Sequence, residues 1–260
     1  MKQLLVPKVG TSTVLDENGL LDQRQFESIA EQLAQISDIY DFAIVSSGAV
    51  SAGAEEKGEN REDYADDIAA LQYFASIGQS LLTERWREAI RPYGKAVGQC
   101  LITRYELGIE RERGPFVSTI GQLIQAGDVP IINENDAVAT EELRVGDNDM
   151  IAAMAAVAIS SLDLWTNSVI LELTDVDGVY ENYGTSDQRL IKEINDISKF
   201  RHVIEDNSDS IHGTGGMGTK FDAAEYANKN GISFIIANGK AQRVIWSALI
   251  GKTGTKIETY

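Results

Sequence analysis

The chain has 260 residues, with 23 Lys+Arg against 40 Asp+Glu and a formal net charge of −17 at pH 7. Hydrophobic residues make up 43% and charged residues 24%. That is enough apolar surface to offset the chain entropy lost on folding, so a collagen-like or intrinsically disordered chain is excluded. The acidity argues against nucleic acid as a partner, because a polyanion would be repelled, but a small anion in a locally positive cleft stays open.

Apolar runs and helical patterns alternate along the chain. Leu4, Leu5, Val6 and Val9 predict a strand that ends in the polar turn Gly10-Thr11-Ser12-Thr13. Phe26, Ile29, Ala30, Leu33 and Ile36 recur at near-helical spacing. Phe42 to Val45 reads as a second strand running into Ser46-Ser47-Gly48-Ala49. Residues 63 to 90 read as a long helix or helix pair, with a strand from Ala96 to Ile102 after it. Pro115 to Ala126 reads as a helix stopped by Gly127. Val129 to Ile132 is a strand entering Asn133-Glu134-Asn135-Asp136, and Ala137 to Val145 alternates weakly, as a hairpin arm would. Gly146-Asp147-Asn148-Asp149 then caps a helix from Met150 to Ile159. The strand Val169 to Leu173 precedes Thr174-Asp175-Val176-Asp177-Gly178. A turn-rich stretch from Asn207 to Gly218, a helix from Thr219 to Asn230, the strand Phe234 to Ala237 and a helix near Arg243 to Leu249 follow. Such alternation predicts an α/β fold, a three-layer αβα sandwich around a mostly parallel sheet. No linker composition or fixed-period repeat divides the chain, so one domain over residues 1–260 is expected.

Lone Cys100 cannot form an internal disulfide, and two histidines, His202 and His212, are too few for a His-based metal centre. Neither a signal peptide nor an apolar run of the ~18 residues needed to span a membrane is present. A soluble, cytoplasmic protein is expected.

In parallel α/β sheets, ligands bind beyond the carboxyl ends of the strands, where helix N-termini offer unpaired N–H groups and a positive dipole. Four strand ends here carry polar, glycine-containing sequence: Gly10 to Thr13, Ser46 to Gly48, Asn133 to Asp136 and Thr174 to Gly178. Each alone reads equally as a turn with a helix cap. Lys8 sits among Val6, Pro7 and Val9, where a buried ammonium would need an anionic partner. It reads either as a lysine aimed at a phosphate or as a solvated lysine on an edge strand, which Pro7 would favour. The stretches Asn133 to Asp136 and Gly146 to Asp149 concentrate amides and carboxylates, as an amino-acid site or as two Asx-rich turns. Gly213-Thr214-Gly215-Gly216-Met217-Gly218-Thr219-Lys220 satisfies G-x-G-x-x-G, yet no strand precedes it and it is not a Walker A loop. It reads as a glycine loop delivering Thr219 and Lys220 to a helix N-terminus, suited to nucleotide phosphates, or as a surface loop. Two lysines and several anion cradles, without a nucleophile–His pair, point to phosphoryl transfer, which needs positioning and charge neutralisation more than covalent catalysis.

Taken in order, these stretches closely resemble the glutamate 5-kinases, a branch of the amino acid kinase family. The matching pieces are Lys8 to Ser12, Val45 to Val50, Val129 to Asp136, Gly146 to Asp149, Leu173 to Tyr180 and Gly213 to Lys220. The resemblance implies transfer of the ATP γ-phosphate to the side-chain carboxylate of L-glutamate, the first step toward proline. It implies that Ser47, Asp136 and Asn148 bind glutamate, and that Lys8 contacts the transferring phosphoryl group. Thr174 and Asp175 would belong to the nucleotide site, with Thr214, Gly215, Gly216, Met217, Gly218 and Thr219 as its glycine loop. Lys220 would neutralise phosphate charge, and Asp149 would hold Lys8 and Lys220 in place. The glutamate site would lie mainly in the N-terminal part and the ATP site mainly in the C-terminal part. Mg²⁺ would ride on the phosphates, with no protein metal ligand assigned, and the assembly would be a homo-oligomer. Three features depart from the pattern: Pro7, the length of Ser160 to Ser168, and Glu181 to Asp187 in place of the usual Thr-x-Asp-Pro-Arg run. The C-terminal PUA domain of many relatives, an RNA-binding-type module, is expected to be lacking, since the chain stops at Tyr260. Another carboxylate or phosphate kinase of the same fold, or a catalytically weak amino-acid or nucleotide sensor, are the alternatives.

Overall fold

The computed structural model describes residues 1–139, 148–200 and 216–258. Strand β1 (Gln3–Val9) lies in the middle of a nine-stranded sheet. On one side it pairs in parallel with β2 (Tyr40–Phe42) and β3 (Ile44–Ser46), and on the other with β6 (Ser168–Thr174). Beyond β3 come β5 (Val129–Glu134) and the edge strand β4 (Val97–Ile102). The two-stranded ribbon of β7 (Tyr180–Glu181) and β8 (Arg189–Leu190) stands apart from this sheet. Beyond β6, the sheet continues through β10 (Ser233–Asn238) and β11 (Thr255–Ile257) to β9 (Glu193–Ile194). Only the β10–β11 pairing of this sheet is antiparallel. The expected mostly parallel sheet is therefore what the chain forms.

Central placement of β1 corrects the edge-strand reading of Lys8. Pro7, which has no N–H to give, is accommodated because the neighbouring ladder is interrupted beside it. Residues Gln3 to Leu5 pair with β2 and Lys8 to Val9 with β3, so Val6 and Pro7 have no register partner on that side. The same interruption, at Ala43, splits the single strand expected over Phe42 to Val45 into two.

Alternation along the strands sorts two cores onto the two faces of the sheet. Leu5, Val9, Leu171, Leu173, Ile235 and Ala237 meet α2 (Gln23–Gln35), α4 (Ile68–Ile90) and α9 (Val244–Leu249). Leu4, Val6, Ile170, Phe234 and Ile236 meet α6 (Glu110–Ala126), α7 (Asn148–Ser160) and α8 (Met217–Lys229). The three-layer αβα sandwich follows. The period of two also dictates that Lys8 and Glu172, in step with Val6 and Ile170, face the layer that holds α7 and α8.

Three short helices escape sequence reading, as do the short strands β7, β8, β9 and β11. The turn Gly10 to Thr13 closes into α1 (Thr11–Val14), and α3 (Ala49–Lys57) and α5 (Arg104–Gly108) have too few large apolar residues to show a helical stripe. Helix α6 begins five residues before Pro115. Most of the hairpin arm expected over Ala137 to Val145 lies outside the described residues. Among the described residues no helix is long and apolar enough to cross a membrane.

Helix α3 is set by a close crossing with α4. A methyl group on Gly78 would run into the carbonyl oxygen of Ala49, and one on Gly53 into that of Phe74. Both obstacles are backbone, which cannot rotate away. Gly78→Ala is expected to destabilise the chain by about 2 kcal/mol, because overpacking here must push two helices apart. The measurement is a urea midpoint that falls with the slope unchanged; an unmoved midpoint would contradict the close crossing.

Candidate active site

Two lysines converge on two carboxylates beneath the carboxyl ends of β1 and β6. Lys8 Nζ donates to Glu172 Oε1 at 2.9 Å and forms an ion pair with Asp149. Lys220, from the first turn of α8, donates through Nζ to Asp149 Oδ2 at 3.1 Å and lies 3.5 Å from Glu172 Oε1. Thr219 Oγ1 adds a hydrogen bond to Asp149 Oδ2 at 2.8 Å. Lys8 and Lys220 are each 5% exposed, Asp149 1% and Glu172 0%. Charges this deep persist only because each faces opposite charges. Burial pushes the Asp149 carboxyl up, but Lys8 and Lys220 outweigh it and hold the group well below the usual carboxylate range. Burial likewise disfavours the Lys8 ammonium, yet Asp149 and Glu172 hold its pKa well above the ordinary lysine value. At Glu172 the balance tips the other way: burial and the Asp149 charge together push its carboxyl up.

Asn148, one residue before Asp149, opens a buried polar chain at the same end of α7. Its Nδ2 donates to Ser47 Oγ at 2.8 Å and to Asn133 Oδ1 at 2.9 Å, and its Oδ1 accepts from Glu134 N at 3.2 Å. Asn133 Nδ2 continues to Gln79 Oε1 at 3.0 Å. Ser47 precedes Gly48, which takes φ 115°, a region that side chains rarely adopt. Helices α3 and α8 begin at Gly48 and Gly216 without a side-chain cap, whereas α2 and α4 are capped by Asp22 and Asp67. The uncapped starts leave backbone N–H groups for a ligand.

Asp136 lies just past β5, is 5% exposed, and has its Oδ1 buried with no hydrogen-bond partner. Burial pushes its carboxyl up to about 7, with the Arg61 guanidinium pulling the other way. Arg61, in a 3-10 turn over Arg61–Tyr64, is itself pushed down by burial. Thr174 ends β6, and its Oγ1 donates to Asp175 Oδ1 at 3.1 Å while its carbonyl accepts from Gly239 N at 2.8 Å. Gly216, Met217 and Gly218 lead into Thr219 at the start of α8. Thr214, Gly215 and Asp147 lie outside the described residues.

Thus Lys8, Lys220 and Asp149 come into contact, as do Ser47 and Asn148. Sequence reading missed Glu172 and Arg61. Glu172 had a signal, as the sole ionisable residue of the apolar strand Ser168–Thr174, on the same face as Ile170. Arg61 had none, since an arginine in a polar segment is ordinary.

Asp136 makes a pH-dependent mark on stability. An unfolded aspartate titrates near 3.8 and this one at about 7. Between those values the folded chain keeps a proton that the unfolded chain has lost, so stability falls as pH rises through that window. Asp136→Asn is expected to gain on the order of 2 kcal/mol over the parent chain at about pH 8 and to lose that advantage near about pH 4. Chemical denaturation of both chains at the two pH values checks it, and equal differences would refute the buried, proton-holding carboxyl.

Comparison with known proteins agrees with this architecture. The family model described as "Amino acid kinase family" matches residues 3–238. The chain is 32% identical over 250 residues to "Glutamate 5-kinase" of Alkaliphilus metalliredigens, covering 95% of this chain and 92% of that one. It is 36% identical over 249 residues to "Glutamate 5-kinase" of Clostridium acetobutylicum, covering 94% and 90%. Against "Glutamate 5-kinase" of Vibrio vulnificus it is 38% identical over 255 residues, and spans 63% of that protein's length. Among solved structures, the fold is similar to carbamate kinase from Giardia lamblia bound to AMP-PNP, at 17% identity with a TM-score of 0.67 over 100% of this chain and 99% of that one. UMP kinase from Ureaplasma parvum is similar at 17% identity and a TM-score of 0.65, over 99% of each chain. The chain belongs to the amino acid kinase family.

Proposed function

We propose that this chain transfers the γ-phosphoryl group of ATP to the side-chain carboxylate of L-glutamate, giving γ-glutamyl phosphate, the first step toward proline. The observation that carries it is the adjacency of Asn148 and Asp149 at the start of α7. Asn148 gathers Ser47, and Asp149 gathers Lys8 and Lys220. A polar pocket for an amino acid and a lysine pair for phosphates therefore meet at one peptide bond, as transfer between them requires.

Ser47, Asn148 and Asp136 hold the glutamate. The buried, unpartnered Asp136 oxygen suits an α-ammonium group, whose charge would draw its carboxyl back into the ionised form. Arg61, whose charge is felt at Asp136, suits the α-carboxylate. The acceptor carboxylate is already a nucleophile at neutral pH, so no general base is needed. Lys8 and Lys220 neutralise charge on the transferring phosphoryl oxygens, with Asp149 keeping both ammonium groups in place. Thr174, Asp175 and the loop Thr214 to Thr219 serve the nucleotide. Mg²⁺ would accompany the phosphates, as phosphoryl transfer generally requires.

Hydroxylamine trapping with ATP, Mg²⁺ and L-glutamate tests the reaction: a glutamate-dependent hydroxamate is expected, and its absence would sink this assignment. Lys220→Ala is expected to lower kcat on the order of 10²–10³-fold, because its charge matters most in the transition state. Glutamate affinity, measured separately by calorimetry, should move by less than about twofold, since Lys220 lies on the phosphate side. Equal losses in both would contradict the role.

A further inference from the structure

Phosphoryl transfer gives work to Lys8, Lys220 and Asp149 but none to Glu172, although Glu172 is fully buried among them. Its charged neighbours among the described residues come from three elements. Lys8 faces it from β1, Lys220 from α8 and Asp149 from α7, while its register partner on β10 is the uncharged Ile236. Among the described residues, two ammonium groups thus face two carboxylates here.

The two carboxylates are unequally supported. Asp149 lies in the first turn of α7, where the helix dipole favours negative charge, and it also accepts from the Thr219 hydroxyl. Glu172 lies in a strand, with no dipole to help it. Its Oε1 serves both lysines, and its Oε2 is buried without a hydrogen-bond partner or an ion pair among the described residues, whereas Asp149 uses both oxygens, Oδ1 in its ion pair with Lys8 and Oδ2 on Lys220 and Thr219. Burial and the Asp149 charge already push its carboxyl up. A nucleotide triphosphate brings several negative charges to the same lysines. Two ionised carboxylates behind them would then repel the phosphates in a medium that screens little. Neutralising the less supported carboxylate relieves that repulsion at least cost.

We propose that Glu172 is a positioning residue that holds Lys8 and Lys220 in the chain alone and takes up one proton from solvent when nucleotide phosphates bind. The proton comes from water or buffer acid and goes to the carboxylate, and the lysine charge passes to the phosphates. No other bond changes. The inference rests on the reading that this lysine pair receives ATP.

Calorimetric titration of ATP with Mg²⁺ into the full chain tests it, without glutamate, in two buffers of different ionisation heat. At about pH 8 the nucleotide phosphates are fully ionised, so any proton taken up goes to the protein. About one proton per bound ATP is expected, and binding should weaken by up to tenfold per pH unit above about pH 8. Glu172→Gln keeps an acceptor for Lys8 and cannot titrate, so it should bind ATP several-fold more tightly with no proton uptake. ATP binding without proton uptake, uptake undiminished in Glu172→Gln, or a parent-chain Kd independent of pH would each overturn the inference. The last needs no variant, so it holds even where Glu172→Gln fails to fold. Absence of ATP binding would instead overturn the kinase assignment, and this inference with it.

Discussion

Burying two lysines, one on the central strand and one on a helix packed against it, is the constraint on which the rest of the structure turns. An ammonium group costs several kcal/mol to take out of water unless opposite charge awaits it. Lys8 sits almost wholly buried on the central strand, so its counter-charges must come from neighbouring elements. Glu172 arrives from β6, one strand away and opposite Lys8 in register. Asp149 arrives from α7, which must therefore pack with its N-terminus over the carboxyl end of β1. Lys220 arrives from α8 alongside. Four elements are thereby locked at one point by charge. The apolar contacts among Ile151, Ala152, Phe221 and Ala224 hold the same helices farther along.

That lock also explains how a chain so rich in carboxylates can handle anions. Among the described residues the cluster sums to zero in formal charge, two lysines against two acids. What favours a phosphate is local: two lysines, and helices α3 and α8 that start without a side-chain cap and so leave N–H groups to offer. Surface charges farther off than a Debye length are largely screened. Net charge is therefore a statement about solubility and nucleic acid, and local architecture is a statement about the ligand.

Much of this was legible in the sequence, for reasons that differ from residue to residue. The alternation of apolar strands with helices revealed the sandwich because buried parallel strands need runs such as Val169 to Leu173. Lys8 stood out because nothing polar surrounds it. Of its partners, Asp149 came only through the family resemblance and Glu172 not at all, because pairing joins residues up to 164 positions apart and periodicity reports only local order. Pro7 pointed toward an edge strand, and the interruption of the β2–β3 ladder beside it, which accommodates it in the centre, is a property of the neighbouring strands. Helix α3 was hidden because it packs through Gly53 and small alanines, which carry no amphipathic stripe.

Glu172 shows where local and tertiary reasoning must be joined. By itself, an acid in an apolar strand reads as a flaw in the strand. The period of two places it on the face of Lys8, and the register of β1 with β6 places it directly across from Lys8. Taken together, an oddity in each of two strands becomes one ion pair. Its companion Asp149 has the helix dipole and the Thr219 hydroxyl, so the two acids cannot be equivalent. One is built to stay ionised beneath the lysines, and the other sits where an incoming negative charge would be felt first.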